Sequence, residues 1–238
     1  MRIAALGLIF FVLCGSACAA LVEMSASRSS PARRPVVLVH GIMRPAQMQK
    51  MAVYLRSLGW DARTMECRPC WGQKGIAELA VQLAAFVQEN FPHAESIDLI
   101  GFSMGGLVSR YYLQRLGGLD RVQRFITISS PHRGSALAHL IPNPGCRDMR
   151  PRSALLRDLE SDADRLRSLQ FTSFWTPLDL MILPQASSVM PQARNVKLWV
   201  IAHPLMVWER RCLRAVEAAL SENAPAIAPA AAASRAVR

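Results

Sequence analysis

Several things are scarce in this 238-residue chain, and their scarcity excludes whole classes of function. Metal-site spacing is one. Cys67-Arg68-Pro69-Cys70 is a C-x-x-C, but no second C-x-x-C and no histidine pair at zinc spacing accompanies it, which excludes a zinc ribbon or finger. Pro69 and Gly72 mark the segment as a loop rather than the start of a helix, which argues against a redox motif. Beyond the first twenty residues there is no apolar run of the roughly 20 residues needed to cross a bilayer as a helix. Internal repeats are absent, so a solenoid is excluded. Acidic residues are few, 17 against 28 Lys and Arg, and the net charge is +11. The basic residues are dispersed and do not form a tract interleaved with aromatics. Nucleic acid is therefore not the expected partner, whereas peripheral contact with an anionic membrane surface is compatible with the charge. Histidines number only five, which restricts the choice of any general base.

What is present divides the chain into a core and two flanks. Arg2, the apolar run Ile3 to Leu13 and the small-residue site Ala17-Cys18-Ala19 read as a secretory signal over residues 1–19, with cleavage after Ala19. A lipoprotein signal anchored through Cys18 is the weaker alternative, because Leu is missing three residues before that cysteine. Either way the chain is expected to be exported, to the periplasm or beyond, where disulfides can persist. Cys67, Cys70, Cys146 and Cys212 then remain, as thiols or in up to two bridges of open connectivity. Residues 20–34 read as a flexible leader and 222–238, rich in Ala and Pro, as a disordered tail. Residues 35–221 form one domain.

Within that domain strands and helices alternate. Pro35-Val36-Val37-Leu38-Val39-His40, apolar through its middle, reads as a buried central parallel strand. Strands are also expected at 61–66, 97–102, 122–129, 169–175 and 196–201. Helices are expected at 45–58, 76–90, 104–116, 153–166 and 205–220, and residues 130–150 as a loop. Such alternation predicts an α/β fold with a mostly parallel sheet of about six strands and helices on both faces. Ligands of such sheets bind at the carboxyl ends of the strands.

One strand end carries a G-x-S-x-G turn, Gly101-Phe102-Ser103-Met104-Gly105. Between a β-branched run and a helix this spacing is a nucleophile elbow, which lifts the Ser103 hydroxyl above the sheet. Gly101 and Gly105 supply the room that a side chain would fill. A serine hydroxyl needs a base in reach, and the base an orienting acid. In elbow hydrolases the chain order is serine, acid, histidine. Only His203 follows the last strand, so it is the expected base. Among the acids between them, Asp158, Glu160, Asp162 and Asp164 share an arginine-rich stretch that reads as a solvated face. Asp120 falls at the wrong end of the sheet. Asp179, just past a strand and flanked by apolar residues, is the expected orienting acid. The backbone N–H groups of Met104 and of Ile42, in the loop after the first strand, are the expected oxyanion donors. His40 and Gly41 are expected to organise that loop.

These stretches, together with Ser130-Pro131-His132-Arg133-Gly134-Ser135, resemble the α/β-hydrolase superfamily and, within it, small bacterial secreted lipases and esterases of the triacylglycerol lipase kind. The resemblance runs over residues 35–221. It implies an α/β-hydrolase fold beginning at the superfamily's third strand, and hydrolysis of a small-molecule or lipid ester through an acyl-enzyme, with no cofactor and no metal. Two positions depart from the pattern. Phe102 stands where these lipases often carry His, and Met149 to Ser153 is strongly basic for a region bordering an acyl groove. Residues 131–167 could form only a short cap with few large apolar residues, which implies an open site. Acyl transfer or thioester hydrolysis by the same triad, and a catalytically silent envelope scaffold, are the alternatives.

Overall fold

A computed structural model describes residues 33–42 and 45–222. Six strands form one sheet: β1 (Val36–Val39), β2 (Ala62–Met65), β3 (Ile97–Phe102), β4 (Val122–Ile128), β5 (Gln170–Trp175) and β6 (Arg194–Lys197). Their order is β2-β1-β3-β4-β5-β6, and every neighbouring pair is parallel. Parallel neighbours cannot be joined by a tight turn, so each connection crosses over a face of the sheet. The helices of those connections are α1 (Gln49–Ser57), α2 (Ile76–Asn90), α3 (Met104–Arg115), α4 (Pro144–Asp148) and α5 (Ala154–Ser161), and α6 (Arg210–Ser221) follows the last strand.

Alternation along the strands builds two cores. Val37, Val39, Leu99 and Phe125 face one side and pack with Leu79 and Leu83 of α2 and Leu107 of α3. Val36, Leu38, Ile100 and Ile126 face the other and pack with Met51 and Leu55 of α1 and Val216 of α6. Both faces of β1 are thus buried, which is why its sequence is apolar throughout. The stripe of Ile76, Leu79, Ala80, Leu83 and Val87 that predicts α2 is its buried face. Each such large aliphatic side chain contributes roughly 1.5–3 kcal/mol when fully buried.

Differences from the sequence expectation lie in connections and edges. Residues 130–150 are not wholly loop. A 3-10 turn occupies Ala136–His139, and α4 is capped by the Asn143 side chain, which accepts from Cys146 N–H (2.7 Å). The helix expected over 153–166 is split into α5 and a 3-10 turn at Ala163–Ser168. Between them the Asp162 carboxylate is drawn to Gln114 (2.7 Å) and Arg115 (2.9 Å) of α3. The last strand ends at Lys197 rather than residue 201. Its neighbour β5 ends at Trp175, whose carbonyl takes one more bond from Leu198 N–H (2.8 Å), and beyond that an edge strand has nothing to pair with. A 3-10 turn, His203–Val207, then precedes α6.

Cys67, Cys146 and Cys212 are thiols. Cys67 and Cys212 belong to the cores on opposite faces of the sheet, so those two cannot be bridged. Among the described residues no helix is long and apolar enough to cross a membrane. The expected signal over 1–19 and its alternative at Cys18 lie outside the described residues. Of the expected leader and tail only Arg33, Arg34 and Glu222 are described. Arg34 donates to Ser96 Oγ (3.0 Å) and Arg124 to the Glu222 carbonyl (2.6 Å).

Candidate active site

Ser103 sits between β3 and α3 with φ 53° and ψ −124°. A positive φ in a residue with a Cβ is strained, and it persists only when its surroundings enforce it. Here the enforcement is close packing. A Cβ on Gly105 would lie 2.3 Å from the Val39 carbonyl oxygen, and one on Gly101 would lie 2.6 Å from Gly106 Cα. The two glycines flanking the serine are therefore required by the approach of α3 to β1 and β3. Ser103 N–H is tied to the Ile128 carbonyl of β4 (2.9 Å), which completes the turn.

The Asp179–His203 pair assembles from two loops that follow β5 and β6. His203 Nδ1 donates to Asp179 Oδ2 at 2.8 Å, with both side chains almost fully buried. The other carboxylate oxygen accepts from Met181 and Ile182 N–H, each at 2.9 Å. Burial pushes the Asp179 carboxyl up. The His203 hydrogen bond and charge, with the two backbone N–H groups, outweigh it and hold the carboxyl below the usual range. Thr176 Oγ donates to the Val200 carbonyl (2.8 Å) and stitches the two loops together. Ser135 clamps the far side of the Asp179 loop: its hydroxyl donates to the Met181 carbonyl (2.8 Å) and accepts from Leu183 N–H (3.0 Å).

Phe102, the residue before Ser103, touches the pair. Its ring lies 4.8 Å from the His203 imidazole, centroid to centroid, at an interplanar angle of 32°. Among the described residues Ser103 Oγ makes no hydrogen bond. Unliganded hydrolase sites commonly have such a gap, which closes when substrate binds.

The loop after β1 reaches the same point. A Cβ on Gly41 would lie 2.8 Å from Ser103 Cβ, so Gly41 backbone lies directly against the serine. His40 is fully buried and holds this loop. Its Nδ1–H donates to the Gly41 carbonyl (2.6 Å), and its Nε2 accepts from Cys67 N–H (3.0 Å). Those two bonds fix one neutral tautomer, and burial lowers the imidazole's proton affinity accordingly. Ile42 is half-buried beside Gly41, and Met104 is the first residue of α3. Ile42 thus follows the glycine that packs on Ser103, and Met104 follows the serine itself at a helix N-terminus.

All nine residues expected from sequence at this site are therefore gathered at the carboxyl edge of the sheet. The rejected acids lie elsewhere. Asp158 and Asp162 pair with Arg115, and Asp164 with Arg167, along the charged outer stretch. Sequence reasoning gave no role to three supporting groups. Phe102 packs on His203. Ser130 Oγ abuts the elbow helix, where a Cβ on Gly106 would lie 2.0 Å from it. Arg110, fully buried, joins α3 to the Leu159 carbonyl (2.9 Å) and the His132 carbonyl (3.3 Å). For Ser130 and the His132 carbonyl the sequence offered one signal, the polar run Ser129 to Ser135 at the end of a strand. Among the described residues no cluster of His, Cys, Asp and Glu could hold a metal ion.

The sequence profile of palmitoyl protein thioesterases matches residues 35–177. A triacylglycerol lipase of Burkholderia plantarii is 30% identical over 127 residues, which is 50% of this chain and 35% of that protein. The chain thus spans about a third of that relative's length. Among solved structures, a Bacillus licheniformis lipase in its mature form superimposes with a TM-score of 0.69 at 18% identity, over 82% of this chain and 94% of that one. Aspergillus fumigatus lipase B superimposes with a TM-score of 0.69 at 18% identity, over 81% of this chain and 53% of that one. These superpositions establish the α/β-hydrolase fold. The profile spans more than half of the chain and includes the elbow, and on that ground the protein belongs to the palmitoyl protein thioesterase family of α/β-hydrolases.

Proposed function

We propose that this protein is a serine hydrolase that cleaves carboxylic esters of the lipase and esterase kind through an acyl-enzyme. The observation that carries the reading is one arrangement: a strained Ser103 at a strand end, with a buried Asp179–His203 pair beside it. In this reading His203 Nε2 takes the Ser103 hydroxyl proton as Oγ attacks the ester carbonyl carbon. Asp179 holds Nδ1–H and stabilises the imidazolium that forms. The carbonyl oxygen becomes an oxyanion, which the Met104 and Ile42 N–H groups meet. Each such donor typically lowers the barrier by about 3–4 kcal/mol. Collapse of the adduct breaks the bond to the alcohol oxygen, which leaves with the proton from His203. Water, deprotonated by His203, then attacks the acyl-serine and releases the acid.

A fluorophosphonate probe tests this directly. Wild type should label with one phosphonyl group at Ser103, and Ser103→Ala should not. Equal labelling of both, or none of wild type, would refute the assignment. The family match favours a second reading, in which the acyl group arrives as a thioester. The same triad serves both, because only the leaving group differs. Rates on matched palmitoyl thioesters and nitrophenyl or glyceryl esters separate them: thioesterase chemistry requires the thioester to be preferred at equal acyl chain.

A further inference from the structure

Thirteen large apolar side chains are exposed among the described residues, and their distribution is uneven. Three, Val53, Val81 and Leu116, are scattered on or beside helices. The other ten lie in the segments that follow β2, β4, β5 and β6, at the edge of the sheet where the Asp179–His203 pair sits. The densest part is an open groove of about 450 Å³, formed by Trp199, Ile201, Leu205 and Trp208. Trp199 is 59% exposed and Ile201 73%, although they lie within four residues of the buried His203. Solvent exposure of such bulky groups, gathered in one patch, marks an interaction surface.

The groove is also tied to neighbouring backbone and positively charged. Trp208 Nε1–H donates to the Gln47 carbonyl (3.0 Å), and Arg211 donates to the Trp199 carbonyl (3.1 Å). Lys50 lines the groove, and Lys197 holds its ammonium 5.4 Å from the Trp199 ring. The one carboxylate in the lining, Glu209, is taken by Arg211 at 3.3 Å. The two lysines have no ion-pair partner among the described residues.

We propose that this rim docks on an anionic phospholipid bilayer. Trp199, Ile201, Leu205 and Trp208 enter the boundary between headgroups and acyl chains, and Lys50 and Lys197 meet lipid phosphates. Tryptophan favours that boundary because one end of the ring is apolar and the other carries an N–H. Charge complementarity selects the lipid over a second copy of the chain. An isologous contact would set the lysines of one copy against those of the other, on molecules of net charge +11. Docking would hold the Ser103 edge of the sheet at the membrane surface. The proposal does not depend on Ser103 chemistry.

The test is co-sedimentation of the full chain with vesicles of phosphatidylcholine alone, or with roughly one third phosphatidylglycerol. Binding is expected on the anionic vesicles and should be weak on the neutral ones. The double variant Trp199→Ser, Ile201→Ser should lose about tenfold or more in partition coefficient, given the apolar area removed. Lys50→Glu with Lys197→Glu should lose a similar factor and flatten the dependence on salt. Turnover of a short, water-soluble nitrophenyl ester should be unchanged in both, which also shows that they fold. Ser103→Ala should bind vesicles like wild type, so failure of the hydrolase reading stays separate. Three results would overturn the proposal: undiminished binding by the Trp199/Ile201 variant, equal binding to neutral vesicles, or no binding to the anionic vesicles, whether or not wild type forms a dimer that this variant dissociates.

Discussion

Replacing Asp179 by Asn probes the candidate site at its most constrained point. Asp179 is 1% exposed and its carboxylate accepts three hydrogen bonds, one from His203 Nδ1 (2.8 Å) and one each from Met181 and Ile182 N–H (2.9 Å). Asparagine keeps the volume, and its carbonyl oxygen can keep both backbone bonds. Its amide must then face His203 with N–H, so the imidazole can meet it only with an unprotonated Nδ1. The ring proton moves to Nε2, and the nitrogen on the serine side becomes a donor instead of a base. The expected loss in kcat for nitrophenyl ester hydrolysis is about 10³–10⁴-fold, or roughly 4–5.5 kcal/mol of barrier, with little change in KM. Thermal melting at neutral pH controls for folding. The wild-type carboxyl is held below its ordinary range. Its contribution to stability is therefore present above the ordinary carboxylate value and is lost as pH falls through the lowered one. The Asn variant should lack that acid-side loss. A fall in kcat of less than tenfold, with melting intact, would refute the orienting role of Asp179.

Gly41→Ala would put a Cβ 2.8 Å from that of Ser103, so the loop must move. If Ile42 N–H is an oxyanion donor, kcat should fall about 10²–10³-fold while KM changes little, as read by steady-state kinetics. Far from the site, Asp98 and Arg124 form a buried pair at 3.2 Å on β3 and β4. Asp98→Ala strands the guanidinium and should cost about 3–5 kcal/mol in urea denaturation, whereas Asp98→Leu with Arg124→Met should cost far less. Burial, only partly offset by Arg124, raises the Asp98 carboxyl to about 6. That contribution is full below the ordinary carboxylate value and is lost as pH rises to about 6, so Asp98→Asn should flatten the stability curve over that interval.

Much of this architecture was legible because burial on two faces leaves a plain mark. The continuous apolar run of β1 and the 3.6-residue stripe of α2 had one reading each: the helix falls at Ile76–Asn90 as expected, and the strand, expected over 35–40, is paired over Val36–Val39. The segments that were misjudged depend on partners distant in sequence. The break at Asp162 is set by Gln114 and Arg115, more than forty residues earlier. The early end of β6 is set by the length of β5. Cysteine count allowed bridges, but only the fold shows that the sheet separates Cys67 from Cys212.

By itself the sequence determined which residue types could carry the chemistry. The glycines around Ser103, the order of serine, acid and histidine, and the strand-end positions are properties of a local pattern that each turn needs in order to form. The tertiary structure alone decided what those residues touch. Phe102 reaches the His203 ring, Ser135 fixes the Asp179 loop, and ten apolar side chains gather at one edge of the sheet. None of this has a spacing that can be read along the chain. A parallel sheet brings strand ends together in an order that differs from their order in sequence, and contacts made there depend on that order.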